Sequence, residues 1–144
     1  MTDELYAKEL LRWAADVSHA GHLPEPKRAA TVNNAMCGDK VTIEFAVDPT
    51  HEISECRHNT KACVLTQASA AIVAAKAGGE DAKSLARVKS AVAAMLKEGA
   101  APPTGKWSAF EIFAPVREHK SRHTCVLLPL EAAEKALKGD SAGQ

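Results

Sequence analysis

The apolar positions of this chain fall into two periods, and the change from one to the other lays out its elements. Tyr6, Leu10, Trp13 and Val17 recur at helical spacing, so the first segment predicts an amphipathic helix that ends at Gly21. Leu23-Pro24-Glu25-Pro26 then reads as a connector. From Val41 to Val47 the alternation is strict. Val41, Ile43, Phe45 and Val47 share one face with Thr42 and Glu44 opposite, which predicts a half-buried strand. Asp48-Pro49-Thr50-His51 predicts a hairpin turn, with a weakly alternating return strand over Glu52–Asn59 and a third, short strand around Ala30–Asn34.

Beyond Cys63 the helical period returns. Val64, Leu65, Ala68, Ile72 and Ala75 share a face that Gly78-Gly79 stops, and Leu85, Val88, Val92, Met95 and Leu96 form the stripe of a helix over Glu80–Glu98. Trp107, Phe110 and Phe113 predict a short helical turn ending at Pro115. Pro129 is placed in the first turn of a last helix carrying Leu130, Ala133 and Leu137. Residues 139–144 read as a frayed tail. Helix, small antiparallel sheet of about three strands, then helices: the order is that of an α+β fold, with 1–144 as one domain and its core over about 5–138.

Composition narrows the function. The 144 residues are 46% hydrophobic but only 4% aromatic, which suits a helix-rich domain with a thin core. Eighteen basic residues balance eighteen acidic ones, so there is no basic excess to bind nucleic acid or an anionic membrane. No apolar run approaches membrane-spanning length, and the first residues lack the basic and apolar regions of a secretory signal. The expected compartment is the reducing cytoplasm. There the four cysteines (Cys37, Cys56, Cys63, Cys125) are poor candidates for disulfides, leaving metal binding, thiol chemistry or plain burial. No Cys-x-x-Cys pair exists to anchor a zinc finger, so a metal site has to be assembled from distant segments.

Three of the cysteines sit at element boundaries. Cys37 precedes Gly38 and Asp39 in a tight loop entering the alternating strand. Gly38 lets the Cys37 thiol and the Asp39 carboxylate point to one spot. Cys63 lies where strand gives way to helix, and Cys125 ahead of the last helix beside Arg122 and His123; both surroundings favour thiolate over thiol. Cys56, inside the weak strand, reads as a buried small hydrophobe, and His58 as a core residue. Trp13 reads as core, and the aromatic trio as packing over the helices. His19, His22, His51 and His119, and with them His123, read as surface or cap-forming residues.

Three stretches carry a resemblance: Asn33-Asn34-Ala35-Met36-Cys37-Gly38-Asp39-Lys40-Val41, Lys61-Ala62-Cys63-Val64-Leu65-Thr66-Gln67-Ala68-Ser69-Ala70, and Ser121-Arg122-His123-Thr124-Cys125-Val126-Leu127-Leu128-Pro129. In this order, with 25 residues between the first two cysteines, they resemble the site motifs of the IscU/SufU/NifU-type iron–sulfur cluster assembly proteins. The similarity spans about Leu5 to Leu137. It implies a ligand set of Cys37, Asp39, Cys63 and Cys125 for a transient [2Fe–2S] cluster, iron or zinc. It also implies persulfide sulfur from a cysteine desulfurase of the SufS or IscS type, with Cys125 as candidate acceptor, and recipient Fe–S apoproteins as further partners. His123 is a secondary ligand candidate.

Departures from the IscU branch place the chain nearer SufU. Thr124 stands where that branch has histidine, Ala62 replaces a glycine, and Arg122 matches the SufU pattern. Glu118-His119-Lys120-Ser121 occupies the place of the chaperone-binding Leu-Pro-Pro-Val-Lys stretch, and 61 residues separate Cys63 from Cys125. Two activities fit one site: a scaffold or sulfur acceptor without turnover of its own, or a zinc-dependent sulfurtransferase that stimulates the desulfurase. A binding module with a structural zinc is a third reading. A Cys125–His123 hydrolase is disfavoured, because no orienting acid is evident.

Overall fold

The computed structural model describes residues 3–25, 28–34 and 38–138, with side chains from Ala7 onward. Helix α1 (Asp3–Ala15) leads into a three-stranded antiparallel sheet, β1 (Arg28–Asn34), β2 (Asp39–Val47) and β3 (Ile53–Lys61), paired in chain order. Helices α2 (Val64–Lys76), α3 (Ala82–Glu98) and α4 (His123–Lys138) follow, with a 3₁₀ segment over Gly105–Glu118 and one short turn over Lys120–Arg122 between the last two. This is the α+β arrangement expected. Among the described residues no helix is long and apolar enough to cross a membrane.

The sheet has one apolar face. Val41, Ile43 and Phe45 of β2 are fully buried, and Ala30 and Val32 of β1 flank them. Helix α4 packs on β1 and β2, α2 packs on β3, and α1 and α3 close the outer layer. The weak alternation of β3 has a physical cause: the register slips between Ala46 and Val47, a β-bulge that turns both Ile53 and Cys56 inward although they are three residues apart. Asp48 holds the hairpin turn, its carboxylate accepting from the Thr50 and Glu52 N–H groups and the Thr50 hydroxyl. His51 takes a left-handed φ of 68° there.

The outer edge of β3 is bonded twice. Ile53 donates to the Glu80 carbonyl and accepts from Gly79, while His58 donates to the His19 carbonyl and accepts from Gly21.

Several boundaries move from their expected places. Helix α1 stops at Ala15, so Val17 lies outside it and is 73% exposed. Val64 leads α2 but is exposed, on the side of the first turn opposite the buried Thr66. Glu44, expected on the open sheet face, is buried: the connector folds over it, and its carboxylate accepts from Leu23 N–H (2.8 Å) and pairs with His22 Nδ1 (2.6 Å). The aromatic turn does not end at Pro115 but runs to Glu118. A 3₁₀ helix has three residues per turn, so Trp107, Phe110 and Phe113 fall on one face and are all buried, with ring centroids 6.0 and 5.6 Å apart. Finally, α4 begins at His123, six residues before Pro129, which therefore sits inside the helix. Cys125 lies within its first turn rather than ahead of it.

Helix α3 shows why its stripe was easy to read. Asp81 and Ser84 form a reciprocal capping box, Gly99 closes the helix at φ 72°, and all five stripe residues are buried.

Cys56 and His58 are both core, as the sequence suggested. Burial pushes the Cys56 thiol up to about 12, so in the native protein Cys56 is expected to resist iodoacetamide at pH 8 and to react only on unfolding, which mass mapping of the labelled cysteines checks. His58 is 4% exposed; Nδ1 meets the Thr60 hydroxyl at 2.9 Å, and Nε2 has no partner. Burial holds its pKa below the ordinary value, with His19 pushing the same way and Asp16 opposing. The folded state therefore binds fewer protons than the unfolded chain once the pH falls below about 6.5. Stability is expected to be intact above that pH and to decline as it falls through the depressed folded value. In His58→Phe this part of the decline should vanish, as measured by urea unfolding at pH 5 and pH 7.5.

Candidate metal centre

Asp39 is the first residue of β2, paired with Asn34 of β1, and Gly38 before it turns the chain at φ 72°. On the other side of β2, Lys40 faces Lys61, so β3 ends level with the start of β2. Two residues later Cys63 caps α2 with an extended backbone (φ −67°, ψ 168°). Its own side chain makes no cap bond. The Asp39 carboxylate takes that role from the neighbouring strand: Oδ1 accepts the Cys63 N–H at 3.1 Å, where the helix presents unpaired amides and the positive end of its dipole.

The other carboxylate oxygen faces three groups. Asp39 Oδ2 lies 3.9 Å from Cys63 Sγ and 3.2 Å from the Thr66 hydroxyl, which is itself 3.5 Å from Cys63 Sγ. Cys125 enters from α4, fully buried. Its carbonyl also meets Thr66, which donates to it at 3.0 Å. The cause is Pro129. In a helix the carbonyl of Cys125 would take the N–H of residue 129, but proline has none, so the carbonyl is left for a donor from α2. Ser69, one turn further along α2, donates likewise to the Val126 carbonyl at 2.6 Å.

The result is a group of three ligand atoms, from Asp39, Cys63 and Cys125, all within 4.8 Å of one another. The carboxylate is 2% exposed and Cys63 is half-buried, so the group opens to solvent on the Cys63 side. Two sulfurs on one tetrahedral Zn²⁺ are about 3.7 Å apart, given Zn–S bonds of about 2.3 Å. The ligand atoms, no farther than 4.8 Å apart, are gathered on that scale. Two thiolates and one carboxylate suit Zn²⁺, iron or an Fe–S cluster far better than Mg²⁺ or Ca²⁺. Cys37, the fourth expected ligand, lies outside the described residues, two positions before Asp39.

His123 does not join the group. It opens α4 as a buried residue, not a surface one, and its Nε2 lies 3.2 Å from the Arg117 carbonyl. The sequence reading missed Thr66. A hydroxyl three residues after the helix cap falls on the same face as the cap residue, a spacing that could have flagged it.

The family model for the NifU-like N-terminal domain matches residues 5–138. Among solved structures, the N-terminal part of a NifU-like nitrogen-fixation protein from Brucella abortus is 33% identical, with a TM-score of 0.87 and 94% of each chain covered. A SufU protein of Fervidobacterium islandicum, named as an iron–sulfur cluster assembly scaffold for the SUF system, has a TM-score of 0.83 at 21% identity. That match covers 96% of this chain and all of the other. No curated protein sequence gives a significant match. With the family pattern spanning nearly the whole chain and the three ligand atoms converging where its motifs lie, the chain belongs to the NifU-like N-terminal domain family, within the IscU/SufU/NifU group.

Proposed function

We propose that this protein is a scaffold and sulfur acceptor for iron–sulfur cluster assembly. The observation that carries the reading is the convergence of Asp39, Cys63 and Cys125 at the meeting point of β2, α2 and α4. Cys37, two positions before Asp39 in the sequence, completes the set. Iron, or a [2Fe–2S] cluster, is the cargo of such a site. A cluster held by four thiolates is retained, as in ferredoxins, whereas one carboxylate corner weakens the hold and eases release to recipient apoproteins. The SufU name of the Fervidobacterium protein agrees with this reading.

Sulfur arrives from a cysteine desulfurase as persulfide. The Cys125 thiolate attacks the outer sulfur, the S–S bond breaks, and the desulfurase cysteine leaves as thiolate, so the persulfide moves without net oxidation or reduction. Cys125 is enclosed under α2, so this transfer requires the first turn of α4 to open, whereas Cys63 stands at the mouth.

A zinc-dependent sulfurtransferase on the SufU pattern is the second reading, favoured by the 61 residues between Cys63 and Cys125. Zinc in the site would then hold the ligands in place until sulfur displaces one of them. Anaerobic incubation with iron, cysteine and desulfurase separates the two. The scaffold gives the visible spectrum of a [2Fe–2S] cluster. Retained zinc and faster desulfurase turnover, without that spectrum, would establish the transferase instead.

In either case Cys63→Ser, at a half-exposed position, is expected to keep the far-UV circular dichroism of the wild type. Its metal affinity should weaken by at least about tenfold, since losing even an outer-shell partner costs that much. Titration with a competing chelator measures it. An unfolded Cys63→Ser protein would point to a purely structural zinc.

A further inference from the structure

Thr66 has one hydroxyl proton and two oxygen acceptors within reach of it, Asp39 Oδ2 at 3.2 Å and the Cys125 carbonyl at 3.0 Å, with Cys63 Sγ a weaker sulfur contact at 3.5 Å. It can satisfy only one at a time. Its surroundings make the choice consequential: Thr66 is fully buried, and both oxygens belong to residues with almost no exposure. Both acceptors belong to residues of the metal centre, one through its ligand group and the other through its backbone.

We propose that Thr66 is a positioning residue whose proton sets how firmly Asp39 holds the cargo; this rests on the metal-centre reading above. With a metal on Asp39 Oδ2, the carboxylate would give up part of its charge and become the weaker acceptor, leaving Thr66 to donate to the Cys125 carbonyl. When Asp39 lets go, the free carboxylate takes the Thr66 proton. A hydrogen bond to a carboxylate is stronger than one to a neutral carbonyl, so the exchange favours the released state. Pro129 makes the arrangement possible. With any other residue there, the helix itself would supply an N–H to the Cys125 carbonyl, and Thr66 would have nothing to switch from. The hydroxyl thus lowers the cost of breaking the one oxygen corner of the site, while the thiolates stay in place.

Two substitutions then act in opposite directions. Thr66→Val keeps the shape and removes the proton, so the detached carboxylate loses its partner and release slows. Pro129→Ala returns an N–H to the Cys125 carbonyl, which leaves the Thr66 proton to Asp39 and speeds release. Loss of packing alone would push both variants the same way, toward faster release.

The test uses the full chain, purified without oxygen and loaded with Co²⁺, whose thiolate charge-transfer bands report the bound metal. Release to excess chelator is followed in stopped flow. The expected result is at least threefold slower release for Thr66→Val, at least threefold faster release for Pro129→Ala, and a wild-type rate for Thr66→Ser. In an Asp39→Ala background the Thr66→Val effect should disappear. Should Thr66→Val fail to fold, Thr66→Ala and Pro129→Ala carry the comparison. Equal rates in all variants, or faster release in both, would overturn the role of Thr66 while leaving the centre standing. Absence of thiolate-to-cobalt bands in the wild type would overturn the centre itself, and the inference with it.

Discussion

A carboxylate with almost no exposure sits where β2, α2 and α4 meet, and the geometry around it follows from the need to give that charge partners. Burying an ionised carboxylate alone is prohibitively costly, so its oxygens must find donors. Asp39 finds them in the Cys63 N–H just ahead of α2 and in the Thr66 hydroxyl, which it shares with the Cys125 carbonyl. The Cys63 bond fixes the start of α2 against the start of β2, and the Thr66 hydroxyl, set between Asp39 and the Cys125 carbonyl, brings in the first turn of α4. The centre is therefore assembled by the same contacts that join sheet to helices. A side chain that caps a neighbouring element, rather than its own, links secondary structure that is far apart in sequence.

The parts of the fold legible in the sequence are those where one period prevails over several residues. Strand β2 alternates because one side meets helices, and α3 shows its stripe because it carries both caps and a single buried face. Legibility fails where long-range contacts overrule the local pattern. Glu44 looks solvent-facing by alternation, yet the connector comes back over it with two donors. Cys56 and Ile53 break the period of two because of a bulge whose partner lies on another strand. Pro129 reads as a helix start because proline is at home in a first turn, but here α2 supplies the donor that makes an internal proline tolerable. For the centre, the cysteines and Asp39 could be read from their motifs, whereas Thr66 has a role only once α4 lies across α2.

The described thiols differ in their surroundings in a way that matches different tasks. Cys56, on the apolar face of the sheet among Phe45 and its neighbours, is held as a neutral, packed side chain. Cys63 stands at a helix cap with one side open. Cys125 is enclosed, with its carbonyl accepting from Thr66 and that of Val126 from Ser69. The latter two lie within 4.8 Å of the Asp39 carboxylate, so position, not residue type, sets their surroundings apart.

The two pairs of backbone bonds along the outer side of β3 have a consequence for how copies of this chain can meet. With residues 19–21 and 79–80 laid against Ile53 and His58, that side offers no continuous row of free amides and carbonyls to a neighbour. Among the described strands only β1 keeps an open edge. Any association by sheet extension must then run from β1 to β1 about a two-fold axis. Two copies so joined have used the open edge found among the described strands, and growth along that sheet stops at a pair instead of running on into a fibre.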